Sequence, residues 1–280
     1  MSEFNYSIII PYRDKYNMLL TAVESIPDRQ DIQVIIIDNS EKPLFDDRVP
    51  KKENAQVVFL TSPPQAGAGC ARNVGLKEAK GQFLLFLDSD DYFTKEAFSA
   101  FDDYLGSDYD IIFFKPTSIS LCDGRPAKRH TLYSKMIEEL KKTKDDNQLR
   151  YCWGAPWSKL IRAEMVKSNE ILFHEVRVSN DVWFSVMTGH AAKTIAVNES
   201  VVYTITAGES GSSLTRTCTK ENWFIRYQEM IRVNQFLKSV GKYKYRIRLK
   251  GALRIAWRDF GFKELLRFLK YAYDNKIGVF

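Results

Sequence analysis

Phe83-Leu84-Leu85-Phe86-Leu87-Asp88-Ser89-Asp90-Asp91 is the stretch that decides how this chain is read. Its first five residues are all apolar, with no polar alternate, which describes a strand covered on both faces. The run stops on three carboxylates within four positions. Carboxylates crowded at the end of a buried strand repel one another and need a cation to justify them.

Short β-rich runs alternate with helical segments on both sides of this stretch. Ser7 to Ile10 is an apolar run stopped by Pro11, Gln33 to Ile37 one ended by Asp38, and Gln56 to Leu60 one ended by Thr61-Ser62-Pro63-Pro64. Helices are expected from a cap at Asp14 through Ile26, from Gly69 to Ala79, and from a cap at Thr94 to Leu105, with a fifth strand at Asp110 to Phe114. Strands alternating with helices imply an α/β fold: a mainly parallel sheet sandwiched by helices. In such open sheets ligands bind beyond the carboxyl ends of the strands. There the chain offers Pro11-Tyr12-Arg13, Asp38, the glycine-rich Gln65-Ala66-Gly67-Ala68-Gly69, and Asp88-Ser89-Asp90. A guanidinium, a flat aromatic, a glycine-rich turn and several carboxylates suit a nucleoside diphosphate and a divalent cation. Mg²⁺ or Mn²⁺ takes oxygen ligands, commonly one or two carboxylates plus substrate phosphates.

A second DxD, Asp108-Tyr109-Asp110, shows how little the tripeptide means alone. It precedes a strand, so it belongs at the amino end, away from the ligand side. Gly67-Ala68-Gly69-Cys70-Ala71-Arg72 comes close to a GxGxxG dinucleotide fingerprint, but that fingerprint follows the first strand of a unit and this segment follows the third. A turn into a helix that carries Arg72 and Asn73 toward a phosphate is the better reading, beside plain helix capping.

The chain has 280 residues, enough for one large domain or one domain plus an extension. No apolar run approaches the roughly 20 residues that span a bilayer. Met1-Ser2-Glu3-Phe4-Asn5 lacks a basic n-region and an apolar h-region, so no signal peptide is expected. Cys70, Cys122, Cys152 and Cys218 show no CxxC spacing, which argues against a zinc site or disulfide framework and fits a reducing cytoplasm. His130, His174 and His190 are isolated. Residues 130 to 150 read as a solvated helix and linker.

Four blocks now carry a resemblance. Ser7-Ile8-Ile9-Ile10-Pro11, the strand ending at Asp38, Ala71-Arg72-Asn73-Val74-Gly75 and Phe86-Leu87-Asp88-Ser89-Asp90-Asp91 resemble, in order and spacing, the successive blocks of family 2 glycosyltransferases with the GT-A fold. Pro11-Tyr12-Arg13 and Gln65-Ala66-Gly67 also resemble nucleotide-binding segments of β-1,4-galactosyltransferase-type enzymes. The resemblance implies a UDP-sugar donor held by Pro11, Tyr12, Arg13, Asp38, Gln65, Gly67, Arg72, Asp88 and Ser89, with Asp90 on the metal. The family often has two adjacent acids after its second strand, whereas Ile37-Asp38-Asn39-Ser40 offers one. Trp157-Ser158-Lys159-Leu160 is similar to a Trp-Asn-Lys-Leu block of capsule and teichoic-acid type transferases. Asn180-Asp181 is similar to their Glu-Asp block, whose Asp is the catalytic base. Only Asp181 carries over, and a helix N-cap is its structural alternative. Ser210 to Arg216 looks like a loop closing over the diphosphate through Ser212, Ser213 and Arg216, or is a plain surface loop. Trp153 and Trp157 either stack on an acceptor sugar or pack in the core.

Three regions are expected: a nucleotide-sugar half (1–120) and an acceptor half (121–216) of one catalytic domain, then a helical basic region (217–280). Residues 242 to 276 hold eleven Lys/Arg against three Asp/Glu, a balance of +8 that leaves the rest of the chain near −2. A solvated helical cap, docking on an anionic membrane near a lipid-linked acceptor, and nucleic-acid binding compete as explanations. No recognition motif accompanies the charge, so no nucleic acid is expected. The resemblance thus implies an inverting, metal-assisted transfer from a UDP-sugar to a glycan or lipid-linked glycan, in the cytoplasm or on the inner face of the membrane. A sugar-1-phosphate nucleotidyltransferase would carry a basic glycine-rich loop after the first strand, which Pro11-Tyr12-Arg13-Asp14 is not. A non-catalytic basic adaptor would need only residues 220 to 280.

Overall fold

The computed structural model describes residues 3–64, 66–208 and 219–278. Its strands are β1 (Phe4–Tyr12), β2 (Ile32–Asp38), β3 (Gln56–Thr61), β4 (Gly81–Phe86), β5 (Tyr92–Phe93), β6 (Ile111–Ser120), β7 (Lys159–Arg162) and β8 (Ile195–Ala207). Its helices are α1 (Tyr16–Glu24), α2 (Ala68–Glu78), α3 (Ala97–Asp102), α4 (Thr131–Thr143), α5 (Asn147–Cys152), α6 (Ala163–Ser168), α7 (Asn180–Ala191), α8 (Lys220–Ser239), α9 (Lys250–Phe260) and α10 (Phe262–Asp274).

The strands form one sheet in the order β3-β2-β1-β4-β7-β6-β8-β5. The first four pair in parallel, β7 runs against both β4 and β6, and β5 runs against β8. The mainly parallel sheet expected from the alternating pattern is present. Its central strands are buried on both faces, and Ile8, Ile9, Ile10, Ile35, Ile36 and Phe86 fill the largest core cluster. Branched side chains on consecutive residues suit a strand covered by helices above and below.

Pro11 does not stop β1 as expected. The strand continues to Tyr12, with Pro11 opposite Ile37. The Ile9 carbonyl accepts from Leu87 N–H, so residues of this parity turn their peptide groups toward β4. The β4 pairing ends at Ile9–Phe86, two residues earlier. The missing N–H of Pro11 therefore falls where no partner strand needs it.

Three helix boundaries also move. Asp14 is not a cap; it sits at φ 57°, and α1 begins at Tyr16. Thr94 does not cap a helix either: its hydroxyl donates to the Val201 carbonyl at 2.6 Å, fastening the short β5 to β8, and α3 starts three residues later. The α2 helix begins at Ala68, one residue before the expected start, behind an N-cap Gly67 whose φ of 93° favours glycine. A Cβ on Gly69 would lie 2.5 Å from the His174 carbonyl oxygen, so α2 meets the 174–180 segment at backbone contact.

Helices α8 to α10 occupy the expected C-terminal region. Thr219 caps α8 by accepting from Asn222 N–H at 3.2 Å. Trp223, Tyr227, Leu253, Ala256, Phe268 and Ala272 form a second core of their own. A third cluster, Tyr151 and Val186 with Val233 and Leu237, joins α8 to α5 and α7.

Candidate active site

A cleft of about 510 Å³ opens beyond the carboxyl ends of β1 and β4. Pro11, Tyr12 and Arg13 form one wall, Gly67 and Arg72 another, and Asp88, Ser89 and Asp90 lie between them. Trp157 and Asp181 close the far side.

Arg72 is the hub. Its side chain is buried, and it donates to Asp88 Oδ1 at 2.6 Å and to Asn180 Oδ1 at 2.9 Å, with its guanidinium 5.2 Å from the Phe173 ring centroid. One cation thus joins the acidic turn after β4 to the first residue of α7. Asn180, standing where the related block carries Glu, supplies a neutral acceptor. Asn73 does not turn toward the cleft. It is buried, and its amide group is used by the Phe173 backbone and the Glu175 carboxylate.

The acidic turn is held from below by β8. Asp91 is buried and accepts from the Tyr203 hydroxyl at 2.9 Å and from Thr206 N–H at 2.7 Å. The same hydroxyl accepts from Asp88 N–H at 3.1 Å, and Thr206 Oγ1 donates to the Asp90 carbonyl. Asp91 therefore spends its oxygens on the scaffold and leaves Asp88 and Asp90 to the cleft. The Asp90 side chain is 44% exposed, with Lys15 Nζ 3.6 Å away. Burial and then the neighbouring Asp88 charge push its carboxyl up from the ordinary range. Asp91 is pushed well up by the same two causes, with Asp90 adding to them.

These residues fit a divalent cation in a limited way. Among the described residues no three His, Cys, Asp or Glu side chains converge as a cage. Two carboxylates do face the cleft, and among the described residues no protein donor reaches Asp88 Oδ2. Mg²⁺ and Mn²⁺ need no more than one or two carboxylates when substrate phosphates and water complete the shell.

Asp181 lies in the first turn of α7 and lines the cleft. Burial raises its carboxyl, and the Asp88 charge raises it further while Arg72 opposes. Behind it lies Lys159, fully buried, whose Nζ donates to the Trp153 carbonyl at 3.3 Å and lies 5.2 Å from the Phe113 ring centroid. Desolvation brings this ammonium down to about 7, with Asp181 pulling it back up.

Several expected residues lie elsewhere. Asp38 is buried and does not line the cleft; it accepts from Ser40 N–H and Leu44 N–H, both at 2.8 Å, and Asn39 lines the wall instead. Trp153 is 0% exposed and packs on Phe113 and Tyr133, so the core reading of this residue replaces the acceptor reading. Trp157 is buried except for an edge on the cleft, and stacks on Tyr203 at 5.2 Å and 14°. Asp108 and Asp110 are absent from the cleft; the Asp110 carboxylate caps Lys193 and Thr194 N–H groups. Gln65, Ser212, Ser213 and Arg216 lie outside the described residues.

The cleft also takes Tyr133 from the segment 130–150 read as a solvated helix and linker, and Arg129 just before it. Arg129, just before α4, donates to the Thr206 carbonyl at 2.9 Å and lines the cleft beside Tyr133. Burial, then Asp181, raises the Tyr133 phenol to about 12. Tyr133, Ile137 and Leu140 repeat at helical spacing, a signal that one face of α4 is covered. Arg177 stands at the rim.

Residues 7–165 match the family described as Glycosyl transferase family 2. The chain belongs to this family. Among curated proteins, it is 26% identical over 208 residues to a poly(ribitol-phosphate) β-glucosyltransferase of Bacillus spizizenii, covering 70% of this chain and 31% of the relative. It is 25% identical over 239 residues to the poly(ribitol-phosphate) β-N-acetylglucosaminyltransferase TarS of Staphylococcus aureus, covering 81% of this chain and 40% of TarS. The chain thus spans less than half the length of these relatives. The solved structure of S. aureus TarS 1–349 in complex with UDP-GlcNAc superposes with a TM-score of 0.70 at 21% identity, over 97% of this chain and 80% of that one. A mannosyltransferase of Pyrobaculum calidifontis, in complex with GDP-Man and Mn²⁺, superposes with a TM-score of 0.57 at 10% identity, over 96% and 75%. These likenesses show the GT-A fold for this family 2 chain.

Proposed function

We propose that this family 2 glycosyltransferase moves a sugar from a UDP-sugar to a hydroxyl of a surface glycan, free or lipid-linked, with a divalent metal and inversion at the anomeric carbon. The observation that carries the reading is that Asp88, Asp90 and Asp181 line one cleft at the carboxyl end of β4, with Arg72 tying Asp88 to the start of α7. The poly(ribitol-phosphate) glycosyltransferases among its relatives support a polymer acceptor, and the TarS complex with UDP-GlcNAc supports a UDP-sugar donor.

Tyr12 and Arg13 would border the base and ribose, while Gly67 leaves room for the backbone to approach the nucleotide. Asp88, fixed by Arg72, would contact the ribose or sugar. Mn²⁺ or Mg²⁺ held by Asp90 would neutralise charge on the departing diphosphate. Asp181 would accept the acceptor hydroxyl proton as the new C–O bond forms and the bond to the diphosphate breaks, releasing the nucleoside diphosphate. Burial raises this carboxyl above the ordinary range, which makes its carboxylate a stronger proton acceptor. The edge of Trp157 that reaches the cleft would give a sugar ring an apolar contact. A basic stretch at 242–276 would bring this cleft to an anionic membrane surface, on the cytoplasmic side. A panel of nucleotide-sugars incubated with Mn²⁺ and read by nucleotide release tests the proposal: release from a UDP-sugar is expected, and release from none would overturn it.

A further inference from the structure

The basic C-terminal stretch is not uniform. Lys242 donates to Asn147 Oδ1 at 2.8 Å and lies over the Tyr151 ring, and Lys244 lies beside Asp145 and over the Tyr245 ring. These cations are used within the protein, against α5 and the loop before it. Beyond them the chain makes a helical hairpin, α9 and α10, turning at Gly261 with φ 87°. Its inner residues, Leu253, Ala256, Phe268 and Ala272 among them, close the second core against α8.

The outer face has a different composition. Trp257 is 60% exposed, Phe262 63%, Leu266 50% and Tyr273 83%. Phe262, Leu266 and Tyr273 are spaced by four and seven residues, so they share one side of α10. Arg254, Lys263, Arg267 and Lys270 are exposed on the same two helices, Arg267 lying over the Phe224 ring of α8. The acids of the hairpin are already occupied: Asp259 binds Arg258, Asp274 binds Lys270, and buried Glu264 binds Lys220 and Arg267. Among the described residues Arg254 and Lys263 have no acidic partner.

We propose that this outer face of the α9–α10 hairpin docks on an anionic lipid surface, with Trp257, Phe262 and Leu266 entering the headgroup region. Charge complementarity selects that occupant. Large apolar side chains set singly among Lys and Arg suit the boundary between acyl chains and anionic headgroups, where each finds its own solvent. A protein interface instead gathers its apolar groups into a core depleted of lysine. Among the described residues no helix is long and apolar enough to cross a membrane, so the contact would be peripheral. The inference rests on the membrane contact proposed above and narrows it from the whole of 242–276 to the hairpin, on exposed residues that do not line the cleft.

Vesicle sedimentation of the full chain tests it without turnover. The protein is expected to pellet with phosphatidylglycerol-containing vesicles, to remain in solution with pure phosphatidylcholine, and to be released by high salt. Trp257→Ser with Leu266→Ser should weaken partition roughly tenfold or more, and Arg254→Glu with Lys263→Glu should do the same. Both variants should keep the parental melting temperature and UDP affinity in solution, which separates failure of this inference from failure of the transferase reading. Equal binding to neutral vesicles, unchanged partition in both variants, or self-association lost in the variants without any vesicle binding would overturn it.

Discussion

Arg72→Met is the substitution that tests how the site is held together. The guanidinium makes a charge-assisted bond to Asp88, for which about 1.5–3 kcal/mol is typical, and a bond to Asn180 at about 1 kcal/mol. Methionine keeps the contact with the Phe173 ring and removes both bonds. The Asp88 side chain is 30% exposed, so water recovers part of the loss. The net destabilisation should be about 2–4 kcal/mol, within the ~5–15 kcal/mol that holds a typical protein folded. The variant also leaves Asp88 without its ion-pair partner and Asp181 without the nearby charge that opposes its burial. Mn²⁺ should therefore bind the variant more tightly, and a tenfold gain would add about 1.4 kcal/mol to the metal's stabilising effect. Urea unfolding followed by tryptophan fluorescence, with and without Mn²⁺, reads both quantities. A loss below about 1 kcal/mol, or a Mn²⁺ effect no larger than in the parent, would refute this account of Arg72.

Four further outcomes follow from the same geometry. Asp181→Asn should lower transfer by about 10²–10⁴ while leaving UDP affinity intact, as for a lost general base; because burial favours the uncharged form, the variant should also melt higher than the parent at neutral pH, and a lower melting point would make Asp181 a structural cap. Transfer by the parent should fall with acid as Asp181 protonates, at a pH above the ordinary carboxylate range. Lys159, brought down to about 7, is neutral in the fold where the unfolded chain still holds the proton, so between pH 7 and about 10 it makes stability rise by up to about 1.4 kcal/mol per pH unit; Lys159→Met should remove that slope, giving the variant its largest advantage at and below neutral pH in paired denaturation curves. Tyr203→Phe leaves Asp91 and the Asp88 N–H each short of one partner, and should cost about 2–4 kcal/mol by thermal or urea unfolding together with weaker UDP binding; an unchanged midpoint would show that the acidic turn holds itself.

Legibility in the sequence followed how local each determinant is. Phe83 to Leu87 announces a buried strand by itself, so the position of Asp88 and Asp90 beyond its end was readable without any partner. Gly67 and Arg72 were readable because a glycine turn opening a helix is a local event. Asp38 shows the limit: it ends β2, but Ser40 and Leu44 N–H groups claim its carboxylate, and a linear pattern does not reveal which donors fold back. Trp153 and Trp157 look alike in sequence, four residues apart, yet α4 and Phe113 enclose the first while the cleft reaches the second. The short strands β5 and β7 exist through pairing with residues far along the chain, which periodicity does not register. Arg129 and Tyr133 reach the cleft for the same reason, through β8 and the covered face of α4.

The central claim is that Asp90 recruits a divalent cation to hold a nucleoside diphosphate in this cleft. Calorimetric titration of UDP into the parent and into Asp90→Ala, each with and without Mn²⁺, tests it most directly. The account predicts that the parent binds UDP appreciably only with Mn²⁺, and that the variant loses at least about tenfold in affinity, or about 1.4 kcal/mol. Equal UDP affinity without metal, unchanged in Asp90→Ala, would contradict it.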